Sequence, residues 1–215
     1  MKAVVFDMDG VLFDTERLCM DGWKHVSMEQ GIEGMEEVSM QCIGRNAQDT
    51  RAYVKEKMGQ DFPYDDFKEQ VSEWFWKEIE RKGLPMKPGV RELLQVLQEK
   101  GFSIGLASST KRESVLSHLK QAQLEDFFSV IVTGDMVTHS KPQPDIYLLA
   151  CEKLGVSPGE AYAIEDSPNG IRSAYSAGMK PVMVPDLIAP DDEMKSLSFM
   201  ICKDLPEFLQ YLRQK

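Results

Sequence analysis

Lys2-Ala3-Val4-Val5-Phe6-Asp7-Met8-Asp9-Gly10-Val11, at the start of a 215-residue chain, is the stretch from which the rest is read. Ala3 to Phe6 are apolar in succession, which suits a strand buried on both faces of a parallel sheet. Asp7 and Asp9 follow at once. At the carboxyl end of a parallel strand, two carboxylates open onto a ligand crevice rather than into the core. A plain Asp-Gly turn is the alternative for these residues. A calcium loop is excluded, because the EF-hand pattern puts Gly at its sixth position with a distal Glu, and here Gly10 is fourth.

The same kind of segment recurs downstream. Short apolar runs lie at Ser103 to Ala107, Val130 to Thr133, Ala161 to Ile164 and Pro181 to Val184, with helical spacing between them from about residue 87 onward. Alternating strands and helices imply right-handed crossovers and a three-layer, Rossmann-like α/β core. Val90, Leu93, Leu94 and Leu97 form one apolar stripe before Gly101; Ile146, Leu149, Ala150 and Leu154 form another before Gly155. Ser167-Pro168-Asn169-Gly170 reads as an N-cap with proline at the first helical position. Residues 15–83 break the alternation with helical, Met-rich and aromatic patterns, so they are expected to form an inserted α-helical domain, with residues 1–14 and 84–215 as the core. Within it, the stripe of Val71, Trp74, Phe75 and Ile79 fits a helical core or a partner surface.

Composition narrows the partners. With 42% hydrophobic and 28% charged residues the chain is of globular type, and no window reaches the roughly 18 apolar residues that span a bilayer. A net charge of -10 argues against nucleic acid or an anionic membrane, both of which are bound by clustered Lys and Arg. The N-terminus lacks the apolar run of a secretory signal, which points to the cytoplasm. Cys19, Cys42, Cys151 and Cys202 have no metal-site spacing and are expected to be reduced packing residues. A monomer or weak dimer is expected.

Three more strand ends carry chemistry. Glu165-Asp166 ends another apolar run, so two adjacent strand ends would crowd up to four acids. At about 4 Å and an effective dielectric of about 20, each like-charge pair costs on the order of 4 kcal/mol, which calls for a cation among them. An all-oxygen set suits Mg²⁺, which takes one or two carboxylates, waters and a substrate phosphate. A helix-capping acidic pair is the alternative. Ser108, with the amides of Ser109 and Thr110 behind it, can donate to a phosphoryl oxygen or serve as a helix cap. Lys141, in Ser140-Lys141-Pro142-Gln143-Pro144-Asp145, sits on backbone restrained by prolines and offers an ammonium to an anion, or is a surface lysine.

Taken in order, FDMDGVLFDT, LASST, SKPQPDIY and IEDSPNGI resemble the haloacid dehalogenase superfamily, in the branch with a helical cap inserted after the first strand. The likeness covers nearly the whole chain. It implies that Asp7 attacks phosphorus to form an aspartyl-phosphate, while Asp9 serves as acid and then base. It implies Mg²⁺ held by Asp7, Asp9 through its carbonyl, and Asp166, with Glu165 in support. Ser108, Ser109 and Lys141 would hold the phosphoryl group of a small phosphorylated metabolite.

Asp9 separates this chain from dehalogenases and phosphonate-cleaving relatives, which have no alkoxide to protonate. Phosphatase and β-phosphoglucomutase-like mutase are the two remaining chemistries. A mutase retains a bisphosphate and needs cap cations for its distal phosphate. In those mutases a histidine follows the Asp-Thr hinge and an arginine stands three residues after a cap glycine; Cys19 and Ala47 hold these places here. Arg45 fits either a contact to a distal phosphate from a shifted position or a solvated helix-end arginine. The reading is therefore a phosphatase, with a mutase second. A catalytically silent binding module on the same scaffold would have lost a nucleophile or ligand, and an adaptor reading rests on net charge alone.

Overall fold

The structure, a computed structural model, describes residues 1–43 and 47–214. Among these the strands are β1 (Ala3–Phe6), β2 (Ser103–Ser108), β3 (Val130–Thr133), β4 (Ala161–Glu165), β5 (Lys180–Met183) and β6 (Met200–Ile201). Every neighbouring pair is parallel, in the order β3-β2-β1-β4-β5-β6. That is the doubly wound order, and its topological switch point falls between β1 and β4. Ligands of such sheets bind beyond the carboxyl ends of those two strands.

In chain order the helices are α1 (Thr15–Gln30), α2 (Met35–Met40), α3 (Ala47–Met58), α4 (Tyr64–Lys82), α5 (Val90–Glu99), α6 (Arg112–Gln121), α7 (Asp145–Leu154), α8 (Pro168–Ser176), α9 (Asp192–Leu197) and α10 (Leu205–Arg213). The chain divides into two compact units, Met1–Phe13 with Met86–Lys215, and Asp14–Pro85.

In the sheet unit, β1 is central, and all four of its residues are fully buried. Ala3 and Val5 pack into one cluster with Ala107 and Val132 of the sheet and with Ile146 and Ala150 of α7. Val4 and Phe6 point to the opposite face by the two-residue period of a strand, and Phe6 meets Phe128 edge to face at 6.3 Å. The α5 stripe is the one expected: Val90, Leu93, Leu94 and Leu97 are its buried residues. Each such side chain contributes about 1.5–3 kcal/mol by leaving water.

Three details depart from the expectations. A sixth strand, Met200–Ile201, closes one edge; two half-buried residues are too few for any alternation to mark them. Ser108 and Glu165 are the last residues of β2 and β4 rather than the first beyond them. The α7 stripe is also turned. Its buried residues are Ile146, Tyr147, Ala150 and Cys151, with Leu149 and Leu154 only partly covered, because the Tyr147 ring turns inward to a polar partner described below.

The second unit holds α1 to α4 and, among the described residues, no strand. Its core gathers Trp23, Val26, Phe67 and Val71, with Trp23 edge to face on Phe67 at 5.4 Å. Of the aromatic stripe on α4, Val71 and Ile79 are buried, Trp74 and Phe75 half-buried. The four cysteines are thiols, three of them buried. Among the described residues no helix is long and apolar enough to cross a membrane.

Candidate active site

The Asp7 amide donates to the Ile164 carbonyl at 2.9 Å, extending the β1–β4 pairing one residue past the strand. This aligns Asp7 with the end of β4, where Glu165 and Asp166 lie. All three carboxylates are buried, and each offers an oxygen within 4.8 Å of the others. Asp7 of the first acidic pair and both acids of the second form one cluster.

Two glycines make room for it. A Cβ on Gly10, whose φ of 79° already favours glycine, would stand 2.6 Å from Asp166 Cγ. At Gly170, in the first turn of α8, a Cβ would overlap the whole Glu165 carboxylate. Glu165 therefore tucks against the start of α8, where helix amides favour negative charge. Ser167 caps that helix, accepting from the Gly170 amide at 3.1 Å, and its hydroxyl donates to Glu165 Oε2 at 3.3 Å.

Lys141 reaches the cluster from the loop before α7, across a cis Lys141-Pro142 peptide. Its Nζ donates to Asp7 Oδ1 at 2.7 Å, Glu165 Oε1 at 2.6 Å and the Ala107 carbonyl at 3.0 Å. With a side chain only 7% exposed, it is not the surface lysine of the plainer reading. Burial works against its charge, but Asp7 and Glu165 outweigh that and raise its pKa above the ordinary value.

One ammonium does not balance three buried carboxylates. Burial pushes the Asp7 carboxyl up to about 8; Lys141 opposes the rise, while Glu165 and Asp9 add to it. The donor set is all oxygen, two glycines give the carboxylates room to converge, and negative charge is in excess. These features fit a hard divalent cation.

Ser108 is fully buried and takes the Thr110 amide on its Oγ at 3.1 Å; the cap of α6 is Lys111, so Ser108 is a strand-end residue and not a helix cap. Ser109 is exposed beside it. Thr110 Oγ1 donates to Asp9 Oδ2 at 2.8 Å, fixing the second aspartate of the first loop over the end of β2. Arg45, expected to meet substrate, lies outside the described residues.

Sequence reasoning missed Thr110 as a partner of Asp9, and it missed Tyr147, whose hydroxyl donates to Glu165 Oε1 at 2.6 Å. Tyr147 stood inside SKPQPDIY, next to the apolar stripe read for that helix, and nothing in its spacing marks a polar role. It also overlooked His118, on α6, which touches Phe13 edge to face at 6.1 Å; burial lowers its pKa while Asp9 opposes the shift.

A doubly wound parallel α/β protein, with a buried acidic cluster compatible with a metal ion at its switch point, is the class these features define. The chain belongs to the haloacid dehalogenase-like hydrolase family, whose model matches residues 4–184. It is 36% identical over 182 residues to the phosphorylated carbohydrates phosphatase of Thermotoga maritima, covering 85% of this chain and 84% of that protein. It is 29% identical over 220 residues to hexitol phosphatase B of Escherichia coli K12, covering 94% and 96%. Among solved structures it is similar to a Thermotoga maritima protein assigned as a candidate β-phosphoglucomutase. There the TM-score is 0.82 at 31% identity, over 100% of this chain and 99% of that one.

Proposed function

We propose that this protein is a magnesium-dependent phosphatase that hydrolyses a small phosphorylated metabolite, a sugar phosphate in class, through an aspartyl-phosphate on Asp7. The observation that carries the reading is the convergence of Asp7, Lys141, Glu165 and Asp166 at the switch point of the sheet. The relatives named as carbohydrate and hexitol phosphatases support the substrate class.

Asp7, the Asp9 carbonyl and Asp166 would hold the ion, with Glu165 in support. When bound, Mg²⁺ supplies positive charge that favours ionised Asp7 and screens the phosphoryl oxygens. Asp7 forms a bond to phosphorus as the ester oxygen leaves, and Asp9 gives that oxygen its proton. Asp9 then takes a proton from water as the water oxygen attacks the aspartyl-phosphate, releasing inorganic phosphate and regenerating Asp7. Thr110 donates to Asp9 Oδ2, which orients the carboxylate for these proton transfers. Lys141 and Ser108, with the amide of Ser109, hold the phosphoryl group and meet the charge that develops on it. The protein acts in the cytoplasm as a monomer or weak dimer.

Purified wild type and Asp7→Asn, each assayed for phosphate release from p-nitrophenyl phosphate with Mg²⁺, test this reading. Asp7→Asn is expected to be inactive, and retained turnover would overturn the nucleophile. Run beside it, β-glucose 1-phosphate should release phosphate faster than it yields glucose 6-phosphate; the opposite ratio makes the enzyme a mutase.

A further inference from the structure

Glu165 Oε1 takes two donors, Lys141 Nζ and Tyr147 Oη, both at 2.6 Å. Tyr147 is fully buried, and the face of its ring stands 5.0 Å from the same Lys141 Nζ. A single side chain therefore grips both members of the ion pair, its hydroxyl on the carboxylate and its ring on the ammonium. A phenol holds its proton at neutral pH, and Glu165 Oε1 is an acceptor, so Tyr147 Oη is the donor of this bond.

The three N–H groups of Lys141 are directed at Asp7 Oδ1, Glu165 Oε1 and the Ala107 carbonyl. The Ala107 carbonyl is fixed by the main chain, and Asp7 directly continues β1 through its amide hydrogen bond to Ile164. The third, Glu165, turns on its own side-chain torsions, and Tyr147 Oη is the neutral donor that holds its Oε1 in place. Without that hydroxyl, Oε1 draws more of Lys141's charge and is free to pull the ammonium from Asp7.

We infer that Tyr147 is a positioning residue: it fixes the Glu165 carboxylate and so aims the Lys141 ammonium at Asp7, where the phosphoryl group is transferred. The inference rests on the proposed function only in giving Lys141 a phosphoryl group to meet. Lys141 stays at the site when the hydroxyl is gone, held by the Ala107 carbonyl and Glu165, so substrate still binds. What is lost is alignment in the transition state, which lowers kcat and leaves KM in place.

The experiment compares wild type, Tyr147→Phe, Glu165→Gln, the double variant and Asp7→Asn, using p-nitrophenyl phosphate with Mg²⁺ and melting each protein in EDTA. Tyr147→Phe keeps the ring and is expected to lose about ten-fold in kcat, as for a lost hydrogen bond to a charged group, with KM within about two-fold of wild type. Because Tyr147 acts through Glu165, the double variant should be no slower than Glu165→Gln alone. A wild-type kcat for Tyr147→Phe, or losses that multiply in the double variant, overturns the inference. Should Tyr147→Phe not fold, Tyr147→Met, which fills much of the same space without a hydroxyl, carries the test, and a wild-type kcat there also overturns the inference. An active Asp7→Asn sinks the proposed function; an inactive Asp7→Asn beside an unimpaired Tyr147→Phe sinks this inference alone.

Discussion

Replacing Gly170 with alanine sets two effects of opposite sign against each other. By helix propensity alone, alanine in α8 stabilises by up to about 1 kcal/mol. Gly170 has no positive φ that would penalise a side chain. Its added methyl, however, would lie far inside the 3.0 Å that Cβ atoms keep from other heavy atoms, overlapping both oxygens and the Cδ of Glu165. Helix backbone does not give way easily, so Glu165 must leave its niche and lose the Lys141 and Tyr147 donors. Each hydrogen bond to a charged group contributes about 1.5–3 kcal/mol, so the loss is roughly 3–6 kcal/mol. The net expectation is destabilisation by roughly 2–5 kcal/mol. At about 2–4 °C per kcal/mol for a chain of this size, the melting point should drop by roughly 4–20 °C. Scanning fluorimetry of both proteins in EDTA measures this with no metal or substrate involved. A variant that melts at or above wild type would falsify the packing of Glu165 against α8.

Chelation, pH and the first loop give three further expectations. EDTA should abolish phosphate release and Mg²⁺ restore it, with the melting point rising as Mg²⁺ is added; an enzyme indifferent to chelation has no metal at this cluster. In EDTA, folded Asp7 holds its proton up to about pH 8, whereas the unfolded chain releases it near the ordinary value of 3.8. Its contribution to stability is thus full below the unfolded value and fades as pH rises towards 8, so the wild-type melting point should fall across that window and Asp7→Asn should fall less. Parallel curves for the two proteins would rule out burial as the cause. Thr110→Val should cut kcat several-fold by releasing Asp9 Oδ2, while Thr110→Ser keeps the hydroxyl and should retain most activity; equal loss in both would place the effect in packing instead.

Much of this protein is local in its chain. Four apolar residues before Asp7, the α5 stripe and the Ser167-Pro168 helix start each depend on neighbours a few positions away, and each forms in the structure where it was read. Residues that end strands, such as Asp7 and Glu165, are equally legible, because a parallel α/β sheet puts strand ends at its ligand crevice whatever the loops are. Strand order is another matter. Only the sheet sets β4 beside β1, and with it the distance between acids 158 positions apart, Asp7 and Glu165. The same holds for side chains that serve the site from a helix. Tyr147 carries the periodicity of a core residue, and nothing local distinguishes a ring that fills space from one whose hydroxyl meets a buried carboxylate. Gly10 and Gly170 read as turn and helix-start residues, yet what requires glycine is an acid brought over them by the fold. Sequence determined five of the six described strands, the main helical stripes and the kinds of chemical group present. Tertiary packing decided which groups share one buried space with excess negative charge, because proximity across a sheet and the cost of burying charge belong to the folded chain alone.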